Sequence, residues 1–177
     1  QYRHAYQEIN HWPLYEPVTK YNAFVDSVEQ LPLLFRQAFR EATSGAPRPI
    51  HLELLGLQGE MVTENSADLE VVIEEDFTQY PAFRPEPEAE RVRQAVKVLT
   101  QAQQPVLVVG GGVTASQASE DVVKLAEMMS IPVATSLNGK GTIPEDHPLS
   151  IGVVGTYSRW CTNQIVSDAD LVLFVGS

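Results

Sequence analysis

The chain has 177 residues and a mass of 19.6 kDa, room for one ordinary domain or for parts of two. Apolar residues make up 44% and charged residues 20%, which excludes an intrinsically disordered chain. One cysteine, Cys161, excludes a disulfide framework and a cysteine-based zinc cluster, and a formal net charge of −11 excludes the basic footprint of a nucleic-acid binder.

The longest apolar stretch, residues 105–113, contains Gly110, Gly111 and Gly112 and is too short to span a bilayer. No basic, signal-like segment opens the chain. The expectation is a protein of the reducing cytoplasm, with no membrane or nucleic-acid partner. The chain starts without a methionine and closes on a strand-like run plus the first residues of a loop, which predicts a piece of a longer protein.

In chain order, residues 28–44 place Leu31, Leu34, Phe35, Ala38, Phe39 and Ala42 at helical spacing, with Pro32 in the first turn and Gly45 as the stop. Residues 49–54 alternate as a strand, so residues 1–54 read as half of an α/β unit without its beginning. Residues 55–90 hold ten acids and one base, Arg84, and carry nearly all the negative charge. Most of that segment, residues 55–86, reads as an acidic, proline-containing, solvated linker.

Residues 87–102 then read as an amphipathic helix with Val92, Ala95, Val96 and Leu99 on one face. Residues 105–109 form an apolar, β-branched run typical of a buried parallel strand. A helix over 116–129, capped by Ser116 or Ser119, strands at 131–135 and 168–175, and a helix around Cys161 complete the pattern. Alternating strands and helices predict an α/β domain over 87–177 with a parallel, doubly wound, Rossmann-like sheet.

Gly110-Gly111-Gly112-Val-Thr-Ala115 fits G-x-G-x-x-A between a strand and a helix. Such a turn brings helix amides to a phosphate, or is simply a tight connection. The acid that would hold a nicotinamide dinucleotide's ribose is absent, because the second strand ends Thr135-Ser136-Leu137-Asn138 and Glu127 falls inside a helix. Two more glycine loops, 138–142 and 152–157, are spaced as successive α/β connections and predict one shared crevice. His4, His11, His51 and His147 lack metal-ligand spacing, Glu145-Asp146 reads as a solvated turn, and Cys161 as a small packed residue. No catalytic residue and no metal ligand is expected in this chain.

These motifs resemble the thiamine-diphosphate-dependent enzymes, and within them acetolactate-synthase-like large subunits. The resemblance rests on 105–177, including Thr135-Ser-Leu-Asn-Gly-Lys-Gly-Thr-Ile-Pro-Glu-Asp-His-Pro-Leu-Ser-Ile-Gly152 and Ser167-Asp-Ala-Asp-Leu-Val-Leu-Phe-Val-Gly176, and on Tyr6-Gln-Glu8, 18–22 and 42–45. It implies that 1–54 end a pyrimidine-binding domain and that 87–177 are most of a central domain, truncated at its far end. The activating glutamate and the Mg²⁺-binding motif of the family would lie outside these residues. The whole protein would decarboxylate a 2-oxo acid with carboligation, as a homodimer or homotetramer, using thiamine diphosphate and Mg²⁺. This chain alone would be inactive.

The resemblance further implies that FAD, ADP or nothing occupies the central domain. Positions matching the family's flavin contacts are Gly110, Gly111, Gly112, Ser136, Leu137, Asn138, Gly155, Thr156 and Tyr157. Ala46 stands where acetolactate synthases carry an arginine, and Gly155-Thr-Tyr-Ser158 replaces Gly-Met-His-Gly. The rival reading is a stand-alone, non-catalytic nucleotide-binding module. A sirtuin-type deacylase is discounted, since one cysteine cannot build a four-cysteine zinc site.

Overall fold

A computed structural model describes residues 9–54 and 69–177. His4, Tyr6-Gln7-Glu8 and the first half of the acidic segment lie outside the described residues. The chain divides into two compact units, Gln1–Arg84 and Pro85–Ser177.

In the first unit, β1 (Tyr21–Val25) and β2 (Ile50–Leu54) pair in parallel, with the helix α2 (Leu31–Thr43) between them in sequence. The α/β unit therefore has its opening strand. Its apolar residues are broken by Asn22, which weakens the strand signal. Asn22 sits directly opposite His51, whose Nδ1 donates to the Asn22 side-chain oxygen at 2.8 Å. That pairing, with Tyr15 stacked on the ring at 3.9 Å, gives His51 a structural role. Tyr15 belongs to a single helical turn, α1 (Trp12–Tyr15), and Trp12 stacks on Phe24 of β1.

The described part of the acidic segment, residues 69–84, packs on α2. Glu74 accepts from Arg40 Nε at 2.6 Å and from Arg40 Nη2, and lies 3.7 Å from Arg36 Nε. These cations, Arg40 chiefly through its hydrogen bonds, hold the Glu74 carboxyl below the usual glutamate range. Phe77 meets Phe83 edge-on at 5.4 Å, and Ala82 is buried. The acids that read as solvent-facing include one that ties a strap to a helix.

The second unit has a four-stranded parallel sheet of order β5-β4-β3-β6, from β3 (Pro105–Val109), β4 (Val133–Thr135), β5 (Ser150–Val153) and β6 (Leu171–Val175). Side chains alternate across β3. Leu107 and Val109 enter one core with Val113, Val122, Ala126, Ile131, Val133 and Ile143. Val106 and Val108 enter the other with Ala134 and half-buried Val166. Helices on both faces make the sheet doubly wound.

Four local readings change. The helix α3 spans Ala89–Gln101, yet of its apolar face only Leu99 is buried, while Val92, Ala95 and Val96 are exposed. The helix thus meets the core through its last turn. The helix expected over 116–129 starts only at Ser119, as α5 (Ser119–Met129), and the glycine turn before it forms a short helix of its own, α4 (Gly111–Ala115), with Gln117 at φ +58° between the two. The residue before α5 is Ala118, so neither serine caps it. Gly152 and Val153, read as the start of a glycine loop, instead end a strand, Ser150–Val153, because its backbone completes the edge beside β4. Cys161 lies in α6 (Trp160–Asp168) as expected of a helix, but it is exposed while its neighbour Thr162 is the buried residue.

Candidate nucleotide crevice at the carboxyl edge of the sheet

β3 lies between β4 and β6, and β4 leads on to β5 before the chain returns to the opposite side as β6. The sheet's direction of winding therefore reverses at β3 and β6, the place where parallel α/β sheets open a crevice. Here the glycine trio fills that place with backbone. Gly110 is extended and buried; its amide donates to the Val175 carbonyl at 2.9 Å, and the Gly112 amide donates to the Gly176 carbonyl at 2.8 Å. A Cβ on Gly110 would stand 2.4 Å from the Gly176 oxygen and 2.7 Å from Ser177 Cα. A Cβ on Gly139 would stand 2.3 Å from the Val109 oxygen. Both residues are glycine because two strand exits touch there.

Ser136 joins the same knot, its amide donating to the Val109 carbonyl at 2.8 Å and its hydroxyl accepting from the Gly139 amide at 3.1 Å. Asn138 approaches Gly111, whose Cβ position is 3.1 Å from the Asn138 oxygen. The structure thus brings Gly110, Gly111, Gly112, Ser136 and Asn138 together. Leu137 and Asn138 remain exposed. Gly155, Thr156 and Tyr157 belong to the exit of β5, two strands from β3, a spacing of about 10 Å. There the Gly155 amide donates to Asn163 Oδ1 at 2.9 Å, and Tyr157 is 81% exposed.

Beside that exit is a cavity of about 310 Å³, lined by Thr135, Lys140, Glu145, Ser158 and Arg159 among others. Lys140 Nζ lies 2.8 Å from Glu145 Oε1. The Lys140 hydrogen bond and charge, with a further contribution from the Arg159 charge, hold the Glu145 carboxyl below its usual range. Sequence reading treated Glu145 as a solvated turn and passed over both cations. Lys140 between two glycines and Arg159 beside an aromatic pair were the available signals. Gly176 and Ser177, which close the glycine trio, were also missed.

Two earlier candidates resolve structurally. His147 Nδ1 accepts from the Leu149 amide at 3.2 Å, so Nε2 carries the proton and donates to Glu127 at 3.3 Å. Glu127 is thereby a helix residue paired with a loop. Among the described residues no three histidine, cysteine, aspartate or glutamate side chains form a metal-binding group, and no helix is long and apolar enough to cross a membrane.

Residues 92–177 match the family model described as thiamine pyrophosphate enzyme, central domain. The probable acetolactate synthase large subunit of Methanocaldococcus jannaschii is 36% identical over 174 residues, 97% of this chain and 29% of that protein. The chain belongs to the thiamine pyrophosphate enzymes. The large subunit of acetolactate synthase isozyme 1 from Escherichia coli is 33% identical over 178 residues, and that of Corynebacterium glutamicum 34% over 175, each covering 98% of this chain. The chain spans under a third of the length of these relatives. The parallel α/β sheet is the architecture expected of a thiamine pyrophosphate enzyme's central domain.

Proposed function

We propose that this chain is the middle portion of a thiamine diphosphate-dependent enzyme that decarboxylates a 2-oxo acid with carboligation, as a transferase or lyase of acetolactate-synthase type. The observation that carries the reading is collinearity: similarity to acetolactate synthase large subunits runs through 97% of the chain, across both compact units. Thiamine diphosphate, when bound, supplies the electron sink, and Mg²⁺ anchors its diphosphate. Neither is assigned a ligand in this chain, whose own part is to scaffold. The whole enzyme is taken as a cytoplasmic homodimer or homotetramer, a reducing setting that suits the exposed thiol of Cys161.

The central domain's nucleotide, FAD or ADP, fits the edge of the sheet only in part. Gly110 and Gly112 have spent their close approach on Gly176 and Ser177, so a phosphate cannot take that side of them. Exposed Leu137, Asn138, Gly155, Thr156 and Tyr157 remain available to hold a ring or ribose. Release of CO₂ from a panel of 2-oxo acids, with thiamine diphosphate and Mg²⁺ added, tests the proposal on the full-length protein and on this chain. Turnover by the full-length protein and none by the chain is the expected result. A full-length protein inert to every 2-oxo acid, yet binding nucleotide, would replace the reading with a nucleotide-binding module.

A further inference from the structure

We propose that the cavity at the carboxyl ends of β4 and β5 is a phosphate subsite in which Lys140 and Arg159 are the cations and Glu145 is the resident counter-ion that a phosphate displaces. The inference deepens the nucleotide reading above and rests on it for the identity of the molecule that carries the phosphate.

The cavity's position comes first. Parallel α/β sheets bind ligands outside the carboxyl ends of their strands. Of the two places at that edge, the one beside Gly110 is filled by backbone, with atoms of Gly176 and Ser177 within 3 Å of a Cβ position. The other, reached by Thr135 at the end of β4 and Ser158 after β5, is open. At about 310 Å³ it is of a size for a diphosphate or a small phosphorylated fragment.

Charge comes second. The chain carries −11 overall, yet the cavity's ionised lining is two cations and one acid. Lys140 and Arg159 come from different loops and line the same cavity; Lys140 Nζ pairs with Glu145 at 2.8 Å, and the Arg159 charge also helps to hold that carboxyl low. Among the described residues the Arg159 side chain has no hydrogen bond and no ion pair, so its fork of donors is uncommitted. An uncommitted guanidinium is the side chain best suited to bidentate contact with a phosphate. Thr135 and Ser158 also line the cavity, and the Ser158 hydroxyl there donates to the Gly155 carbonyl at 2.6 Å.

The third point is what Glu145 does. Its carboxylate sits on Lys140 as a phosphate oxygen would, and a dianionic phosphate competes for that position with twice the charge. Removing the carboxylate should therefore tighten phosphate binding. A misfolded variant would show the opposite.

The test is isothermal titration of the 177-residue chain with sodium pyrophosphate, and separately with ADP and FAD, at about 50 mM salt, where surface charge is least screened. Arg159→Ala and Lys140→Ala should each weaken pyrophosphate by about tenfold or more, and Glu145→Gln should tighten it several-fold. Lys124→Ala, which removes an exposed cation outside the cavity, should change nothing. Pyrophosphate binding that ignores Arg159→Ala and Glu145→Gln, or no pyrophosphate binding by the unaltered chain, overturns the subsite. ADP or FAD binding that is indifferent to both cations overturns it while leaving the nucleotide reading in place. Pyrophosphate binding that needs both cations, with neither ADP nor FAD binding better than pyrophosphate, upholds the subsite and removes the nucleotide reading.

Discussion

Gly110→Ala should loosen the second unit far more than Gly111→Ala does, although the two glycines are adjacent. The added methyl at 110 would stand 2.4 Å from the Gly176 oxygen, and since side-chain carbons stay beyond 3.0 Å of such atoms, that backbone must retreat by about 0.6 Å. Forcing a methyl into a packed place costs about 1–3 kcal/mol. The retreat also strains the bonds from Gly110 to Val175 and from Gly112 to Gly176, each worth about 0.5–1.5 kcal/mol. Against this, alanine stiffens the unfolded chain and returns about 0.4–1 kcal/mol. The net expectation is a loss of roughly 2–3 kcal/mol. At 111 the nearest atoms, the Asn138 oxygen and Cβ, lie 3.1 and 3.2 Å away, and the residue is helical. There the unfolded-state gain nearly offsets the contact, leaving a change within about 1 kcal/mol. Native-state hydrogen exchange of the β3 amides reads the opening free energy of this unit without interference from the first. Equal protection of β3 in the two variants would refute the close-approach argument.

Other outcomes are expected from the same geometry. Ile143, only 1% exposed in the connection between β4 and β5, should cost about 2–5 kcal/mol on replacement by alanine; a loss under about 1 kcal/mol in denaturant unfolding would show that the connection is not part of the core. The Glu74 pKa is lowered in the fold, first by hydrogen bonding to Arg40, so its stabilisation is present above the ordinary glutamate pKa and is lost as pH falls through the lowered value. Thermal melting of the first unit, followed through Trp12 at pH 7 and at about pH 3, should show less acid sensitivity in Arg40→Met; equal sensitivity would contradict the sign. The Asp170 carboxyl is also held low, by amides of Gln103 at 2.6 Å and Gln104 at 2.9 Å, so Asp170→Ala should destabilise the second unit at neutral pH by a margin that closes in acid. Cys161 is exposed and should react stoichiometrically with a thiol reagent in the folded chain, a result that a packed thiol would not give.

Periodicity made much of the fold legible. Strands such as 105–109 carry long β-branched runs, and a buried parallel strand has little other composition open to it. The strand at 150–153 was hidden because Ser150 and Gly152 are poor strand formers, and only its place beside β4 makes them extended. The break at Gln117 was equally hidden, since a left-handed non-glycine residue leaves no compositional mark. For the crevice, sequence located the loops but not their use. Glycines that admit a phosphate and glycines that admit another backbone have the same letter, and Gly176, which decides between them, lies a whole α/β unit away. Lys140 and Arg159 were invisible for a similar reason, because their meeting in the lining of one cavity is a property of two folded loops.

The pairing of β3 with β6 has a consequence for how the second unit is made. The earliest strand of that sheet has the latest one as its neighbour, and the turn after β3 is locked by Val175 and Gly176. During synthesis the ribosome releases β3, β4 and β5 first, and they wait with an unpaired edge and an unlocked turn. Non-local closure of this kind is slow, because loop entropy is lost before the contacts that repay it are made. Nascent chains arrested before β6 emerges should therefore be the form that chaperones engage and proteases cut, and release of β6 should end both.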